Sequence, residues 1–219
     1  MIHRTPFFLP WFYPSLTWRM PSQGKEIYLT FDDGPVSGPT EFVLETLQKF
    51  GAHATFFCIG ENIRKHEQVF KQIISHGHAI GNHTYNHLNG WQTKTDHYHK
   101  NVRLCDLEMG AQGLGEISLR LFRPPYGRIS HDQIKALPDY HIIMWDVLSV
   151  DYNKNLLPEK CLKNTIGATR SGSIVVFHDS FKAEKNLVFA LPRYLEYFVE
   201  RGFTFKGLKF EVRDSRLHA

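Results

Sequence analysis

The sequence predicts an α/β fold built around a parallel β-sheet. Two observations support it: from Glu26 onward short apolar runs alternate with longer helical stretches, and the apolar runs end abruptly in polar or Gly/Pro-rich turns. Alternation of this kind indicates repeated β-α units, whose strands pair in parallel. With 219 residues and no internal repeat, we expect one domain rather than two.

Six strands and six helices follow from these patterns. The predicted strands are residues 27–31, 54–58, 79–81, 121–122, 142–145 and 173–177. The predicted helices are residues 41–50, 67–76, 94–109, 130–136, 158–169 and 186–201. Because the carboxyl ends of parallel strands open onto one mouth, we expect the polar turns after these strands to meet there.

The composition is that of an ordinary globular protein. Hydrophobic residues make up 42% and charged residues 22% of the chain, which excludes fibrous and disordered classes. The 26 basic residues are dispersed among 22 acidic ones, so a nucleic-acid partner is not indicated. Cys58, Cys105 and Cys161 lack paired spacing, which favours small core residues over disulfides or a thiolate metal site.

The two ends of the chain are predicted to differ from the domain at 26–210. Residues 1–25 form an N-terminal apolar arm and residues 211–219 a C-terminal tail. The stretch from Pro6 to Trp18 is apolar but broken by Pro10 and Pro14, so we expect neither a cleavable export signal nor a spanning membrane segment. A docked arm is favoured over a membrane-touching patch. A cytoplasmic location is the default expectation, and an extracytoplasmic location stays open.

A pair of histidines is the first indication of chemistry. His83 and His87 are four residues apart, a spacing that one helical turn would place on the same face, close enough to share an ion. Most of the 13 histidines have no such pattern and are expected to be structural. Catalytic sites with two histidines usually need a carboxylate as third ligand.

The adjacent carboxylates Asp32 and Asp33 are the candidates for that third ligand. They end the first predicted strand and are followed by Gly34 and Pro35, a turn that would let both side chains reach the mouth. One would bind the metal while the other acts as a base. The alternative is structural, because paired acids also close turns and cap helices.

Five segments resemble, in order, the motifs of the polysaccharide deacetylases, also called the NodB-like domain or carbohydrate esterase family 4. They are Thr30-Phe31-Asp32-Asp33-Gly34, His83-Thr84-Tyr85-Asn86-His87, Arg123-Pro124-Pro125-Tyr126-Gly127, Asp151 and Val176-Phe177-His178. The resemblance covers nearly the whole chain. It implies a distorted (β/α) barrel of about seven parallel strands with an open groove at its mouth.

The resemblance divides the roles of the ligands and the base. It implies that Asp33, His83 and His87 hold a divalent metal and that Asp32 is the general base. Arg123 would fix Asp32 through a bidentate ion pair. Zinc is the favoured metal, although cobalt, iron, nickel or manganese would fit the same ligands.

The remaining catalytic roles also follow from the resemblance. His178 is similar to the general acid that protonates the departing amine, and Asp151 to the acid that raises the pKa of that histidine. The backbone N–H of Tyr126 would donate to the oxyanion, with Gly127 allowing close approach of the backbone.

Four residues are candidates for contact with substrate. Val176 and Trp145 would form the apolar wall around the acetyl methyl group, and Trp91 would stack on a sugar ring. Pro124 is the fourth candidate. The chain departs from the commoner family pattern at Leu148, where many relatives have Asp, and at Tyr152, where many have Trp, which puts the shape and polarity of the groove in doubt.

The activity that the resemblance implies is metal-dependent hydrolysis of N-acetyl groups on an acetylated carbohydrate, such as a peptidoglycan-like or chitin-like glycan. Ester hydrolysis on acetylated xylan and amide or formyl hydrolysis on a small molecule are alternatives. A non-haem iron oxygenase shares the two histidines and one carboxylate, but has no required place for Asp32, Arg123 or His178. A non-catalytic carbohydrate binder would need neither a base nor an acid.

Overall fold

Eight strands form the sheet of the computed structural model, which describes residues 3–21, 24–114 and 120–210. They are β1 (Glu26–Asp32), β2 (Thr55–Cys58), β3 (Ala79–Asn82), β4 (Arg120–Phe122), β5 (Tyr140–Ile142), β6 (Val147–Leu148), β7 (Ile174–His178) and β8 (Thr204–Lys206). The strand order is β5-β4-β3-β2-β1-β7-β6, and β8 pairs with the first half of β1. All these pairings are parallel. The predicted class, a distorted (β/α) barrel of about seven parallel strands, is confirmed, and its sheet is curled into a half-barrel.

Eight α-helices in the described ranges connect or flank these strands. They are α1 (Leu9–Phe12), α2 (Pro39–Lys49), α3 (Gly60–Lys65), α4 (Glu67–Ser75), α5 (Thr95–Ala111), α6 (His131–Lys135), α7 (Pro158–Ala168) and α8 (Glu184–Val199). Helix α2 begins with Pro39, whose fixed φ suits the first turn. Helix α6 begins with a capping box between Ser130 and Gln133.

Strand β1 shows how the sheet separates core from site. Ile27, Leu29 and Phe31 point to one face and belong to the large core cluster beneath the helices. The intervening residues point to the other face, so Thr30 and Asp32 are buried on the inside of the half-barrel. Phe31 anchors the core because its ring stacks on Phe56 at 5.1 Å and contacts Phe177 at 6.3 Å.

The N-terminal arm lies across the opening of the half-barrel. Thr17 pairs with Ile143 just after β5, and Arg19 pairs with Ser173 just before β7. Arg4 pairs with Val147 in β6. The arm thus forms main-chain bridges on both sides of the opening, which covers strand edges that would otherwise be exposed.

Some predicted boundaries are wrong. The strand predicted at 142–145 is observed at Tyr140–Ile142, because the amide of Met144 donates to Thr17 of the arm instead of continuing the sheet. Strands β6 and β8 were not predicted, since two or three residues are too few to show a periodic pattern. Helices α1 and α3 were also not predicted.

The predicted C-terminal tail, residues 211–219, lies outside the described residues. Within the described ranges, the helices are all too short or too polar to cross a membrane.

We expect Phe31→Ala to lower the free energy of unfolding by about 3–5 kcal/mol, because it leaves a cavity between two other buried rings. Urea denaturation measures the change. Leu107→Ala is the matched control, since Leu107 is exposed on α5, and it should stay within about 0.5 kcal/mol of wild type. A similar loss in both variants would contradict the assignment of the core.

Candidate active site

The carboxyl ends of β1, β3, β4 and β7 open onto one pocket of about 300 Å³. This is the convergence that the polar strand-end turns predict. The pocket is lined by Asp32, Asp33, His83, His87, Pro124, Tyr126, Arg128, Trp145, Leu148, Tyr152, Val176, His178 and Lys182. Arg123 and Asp151 lie behind this lining and contact it through their partners.

Three of the lining residues form a cluster with the geometry of a metal site. Oδ1 of Asp33 lies 3.2 Å from Nε2 of His87 and 3.7 Å from Nε2 of His83. One ligand atom from each residue falls within 4.8 Å of the others. Two imidazole nitrogens and one carboxylate oxygen, opening onto a pocket, suit a divalent cation that keeps a coordination position for water.

The histidines of this cluster are oriented by partners on their other ring nitrogens. Nδ1 of His83 donates to the carbonyl of Arg123 at 2.7 Å. Nδ1 of His87 lies 3.1 Å from the hydroxyl of Tyr126. Burial lowers the pKa of His83 to about 4. His83 is therefore neutral near pH 7, as a metal ligand must be.

The expectation that a helical turn brings the two histidines together is wrong. Residues 83–89 form no helix, and both Thr84 (φ 64°) and His87 (φ 55°) have left-handed backbone conformations. The loop is held instead by Asn101 of α5, whose Oδ1 accepts from the amides of Tyr85 at 2.8 Å and Asn86 at 3.2 Å. Asn101 was not predicted as a site residue, because nothing local marks an asparagine in the middle of a helix as a loop anchor.

Asp33 reaches the pocket because the chain turns sharply after β1. Its φ is 80°, and the side-chain amide of Asn62 donates to its carbonyl at 2.7 Å. Burial would raise the pKa of Asp33. The hydrogen bond from His87 and the charges of His178 and His83 outweigh it and hold that pKa well below the usual range. Asp33 is therefore ionised.

The same turn is fixed by Asp179, another residue that was not predicted to belong to the site. Its carboxylate accepts from the amide of Gly34 at 3.0 Å and from the hydroxyl of Thr40 at 2.7 Å. Burial raises the pKa of Asp179 to about 8. A side chain on Gly34 would collide with this carboxyl group, so the turn requires glycine.

Asp32 is held by a fully buried arginine. Nη1 of Arg123 donates to Oδ1 of Asp32 and to the hydroxyl of Thr30, both at 2.7 Å. Its other nitrogens donate to the carbonyls of Met144 at 3.0 Å and Ile143 at 3.2 Å. The expected bidentate pairing is therefore wrong: one N–H bonds Asp32, and the other donors are used by Thr30 and the backbone.

His178 forms a second charged pair on the opposite side of the pocket. Its Nδ1 lies 2.7 Å from Oδ1 of Asp151, and its amide donates to Oδ2 of Asp151 at 2.8 Å. Burial lowers the pKa of His178, but the charge and hydrogen bond of Asp151 outweigh burial and raise it to about 9. The imidazole therefore carries a proton on both nitrogens near pH 7.

The predicted substrate-contact residues do not all reach this pocket. Pro124, Trp145 and Val176 line it. Trp91 instead lines a neighbouring cavity of about 510 Å³, where it stands 5.1 Å from the guanidinium of Arg128. Trp91 therefore lies at the edge of the mouth and does not line the pocket that contains the metal-site cluster.

Tyr126 and Gly127 shape the wall between these two cavities. Both have positive φ, 61° and 64°, and a Cβ on Gly127 would lie 2.6 Å from Trp145. A side chain at position 127 would therefore collide with the ring of Trp145, which packs against the backbone there. The expected role of Gly127 in bringing the backbone close to an oxyanion stays a prediction. Two basic residues at the mouth, Arg128 and Lys182, were missed because single charges in loops carry no pattern.

Comparisons with known proteins agree with this fold. The sequence profile described as polysaccharide deacetylase matches residues 19–144. A peptidoglycan-N-acetylglucosamine deacetylase of Bacillus cereus is 32% identical over 193 residues, covering 87% of this chain and 89% of that protein. A second, longer protein of the same name and organism is 34% identical over 162 residues, which span 73% of this chain and 58% of the relative.

Solved structures give the same result. The Bc1960 peptidoglycan N-acetylglucosamine deacetylase superposes with a TM-score of 0.84 at 30% identity, covering 93% of this chain and 95% of that one. The half-barrel and the residues at its mouth define a domain of the NodB-like deacetylase class. The chain belongs to the polysaccharide deacetylase family.

We expect Asp151→Asn to lower the pKa of His178 from about 9 by about 2 units, because the neutral amide no longer favours the imidazolium. Titration of the histidine ring signals by NMR, in chelator-treated protein, measures the shift. Asp139→Asn, an exposed site, is the control. Unchanged titration of His178 in Asp151→Asn would contradict the pairing.

Proposed function

We propose that the chain is a metal-dependent hydrolase that removes N-acetyl groups from amino-sugar glycans or oligosaccharides of the peptidoglycan or chitin type. The observation that carries the proposal is the placement of two proton-transfer groups in one pocket. Asp32, held by Arg123, and His178, held by Asp151, both line the pocket that contains the cluster of Asp33, His83 and His87.

The donor set fits a divalent cation, because metal ligands must be unprotonated. His83 is neutral and Asp33 is ionised. Asp33, His83 and His87 would hold it. A cation bound there would lower the pKa of a water molecule and polarise the acetyl carbonyl. Zinc is our choice because two histidines and a carboxylate with an open position suit it, while cobalt, iron, nickel and manganese share the donor preference.

Asp32 is the general base in this proposal. Its carboxylate takes the proton of the attacking water as the new C–O bond forms at the acetyl carbon. Arg123 keeps the base fixed, since the guanidinium is itself held by the hydroxyl of Thr30 and two backbone carbonyls. The amide of Tyr126, in its left-handed conformation, is the proposed donor to the oxyanion.

His178 is the general acid. When the C–N bond breaks, the nitrogen leaves as an amine only if it receives a proton, and the imidazolium of His178 supplies it. Asp151 keeps this proton on the ring near neutral pH, because it raises the pKa of His178 to about 9. The products are acetate and the free amino group.

The substrate class is supported by the relatives and by the pocket walls. Two similar proteins are named as peptidoglycan N-acetylglucosamine deacetylases. Trp145 and Val176 provide apolar surface on which an acetyl methyl group can pack. Acetylated xylan and small-molecule amides or formyl compounds are the alternatives that a substrate panel distinguishes.

We expect the purified chain to release acetate from N-acetylglucosamine oligomers. The activity should be lost with a chelator and recovered with Zn²⁺ or Co²⁺, since the proposed nucleophile depends on the cation. Mass spectrometry of the panel, which includes O-acetylated xylan and formylated sugars, identifies the product. Metal-loaded protein that deacylates no member of the panel would refute the proposal.

Asp32→Asn and His83→Ala separate the base from the ligands. We expect Asp32→Asn to retain bound metal and lose about 10²–10⁴-fold in kcat, because only proton transfer is removed. His83→Ala should lose both metal and turnover. Metal content by plasma mass spectrometry and initial rates give the two readouts, with thermal unfolding as the check on folding. Equal loss of metal in both variants would overturn this division of roles.

A further inference from the structure

The arm exposes four aromatic rings around α1, which we call the aromatic patch: Phe7, Phe8, Trp11 and Phe12. Phe7 is 78%, Trp11 77% and Phe12 70% exposed. The rings contact one another in a chain, with centroids 5.8 Å apart for Phe7 and Phe8, 6.1 Å for Phe7 and Trp11, and 6.4 Å for Phe8 and Phe12. The patch is therefore continuous, and contiguous exposed apolar surface on this scale indicates an interaction site.

The segments on either side of the aromatic patch are fixed to the half-barrel. Before it, the amide of Thr5 donates to the carbonyl of Asp146 at 2.8 Å, and the Thr5 hydroxyl donates to the carbonyl of Trp145 at 2.6 Å. After it, the amide of Thr17 donates to the carbonyl of Ile142 at 2.9 Å. The rings are thus presented on an anchored loop and not on a frayed end.

Surplus positive charge lies beside the aromatic patch. Arg4, Arg19 and Arg170 surround the buried carboxylate of Asp146, with nitrogen–oxygen distances of 3.6, 3.3 and 3.5 Å. Asp146 also accepts from the hydroxyl of Ser173 at 2.6 Å. Because the arginines share one acid, two positive charges remain uncompensated within this group.

The same arginines line a groove of about 900 Å³, which we call the arginine groove. Phe7 of the aromatic patch forms part of its wall, and Asp146 is the only acidic side chain among its described lining residues. The groove and the patch therefore form one surface, with exposed rings at one side and guanidinium groups at the other.

We propose that this surface docks the protein on a lipid bilayer that contains anionic phospholipids. Phenylalanine and tryptophan rings insert at the boundary between headgroups and acyl chains. Guanidinium groups bind phosphate oxygens through paired N–H donors. The surface combines both features, so the aromatic patch enters the interface while the arginine groove receives a headgroup phosphate.

The chemistry of the rings favours lipid over other occupants. Three of the four are phenylalanines, which have no polar edge with which to bind sugar hydroxyls. They also project from the chain, whereas sugar rings and drug-sized ligands are usually held in concave sites.

Docking would place the candidate active site close to the lipid surface. Pro6 and Leu9 of the arm line the cavity of about 510 Å³ that also includes Tyr126 and Trp145. Tyr126 and Trp145 also line the pocket that contains the metal-site cluster. The docking surface and the mouth of the half-barrel are thus neighbours. The docking proposal does not depend on which acyl group the active site removes.

Co-sedimentation of the full chain with vesicles tests the proposal. We expect binding to vesicles of phosphatidylglycerol and phosphatidylcholine that is stronger than binding to phosphatidylcholine alone and that weakens with salt. Trp11→Ser should lower the partition coefficient about tenfold, since one ring no longer leaves water. The combined change Phe7→Ser, Trp11→Ser and Phe12→Ser should abolish binding.

Two further variants sharpen the test. Arg170→Gln should weaken binding to the anionic vesicles about fivefold and leave binding to neutral vesicles unchanged, because one basic side chain near the surface is lost. Leu107→Ser is the matched control, being 69% exposed on α5, and should bind as wild type does. Thermal unfolding checks that each variant is folded.

The proposal is overturned if the wild-type chain binds no vesicles, or if the triple variant binds as well as the Leu107→Ser control. Equal binding to neutral and anionic vesicles would overturn the role of the arginine groove. Sedimentation velocity gives the last outcome: a wild-type dimer that the triple variant dissociates, without vesicle binding, would assign the patch to a second copy of the chain.

Discussion

The buried guanidinium of Arg123 is the interaction on which the site depends. It joins two parts of the half-barrel: the end of β1, where it bonds Asp32 and Thr30, and the segment after β5, where it bonds the carbonyls of residues 143 and 144. Its own carbonyl accepts from Nδ1 of His83. One residue thus sets the positions of the proposed base and of one proposed ligand. An arginine without solvent contact is stable only when its donors are satisfied. The ring of Phe57 covers the guanidinium of Arg123, with its centroid 4.1 Å from Cζ.

Two of the histidines that line the pocket, His83 and His178, lie in different acid–base environments. On one side burial keeps His83 neutral, with a pKa of about 4. On the other Asp151 keeps His178 protonated, with a pKa of about 9. Both imidazoles are buried, so burial alone would lower both pKa values. The difference arises from partners: His83 bonds a neutral backbone carbonyl, whereas His178 bonds a carboxylate. Neighbouring groups whose pKa values diverge in this way are the usual mark of acid–base chemistry.

The sequence predicted the sheet and the convergence at its mouth because both follow from local rules. Apolar runs mark buried strands, and parallel strands bring their carboxyl ends together. It did not predict Asn101, which bonds a loop 16 residues earlier in the chain, or Asp179, which bonds a turn 145 residues earlier. It also missed the backbone of residues 84–87, since left-handed conformations at Thr84 and His87 are imposed by tertiary hydrogen bonds against local preference. The short strand β6 (Val147–Leu148) is stabilised by pairing with β7 and with the arm. Both partners are distant in sequence, so no local pattern predicts the strand.

The arm across the opening has a consequence for the order of folding. Its partners at Ile143, Val147 and Ser173 lie more than a hundred residues further along the chain, so these bridges close very long loops. Contacts of such sequence separation form late, after local β-α units have condensed. During synthesis the arm must wait for β7 to emerge, and Leu16, which is buried in the folded chain, stays exposed until then. The half-barrel is therefore closed by a segment that is synthesised before the strands it pairs with and docks after them.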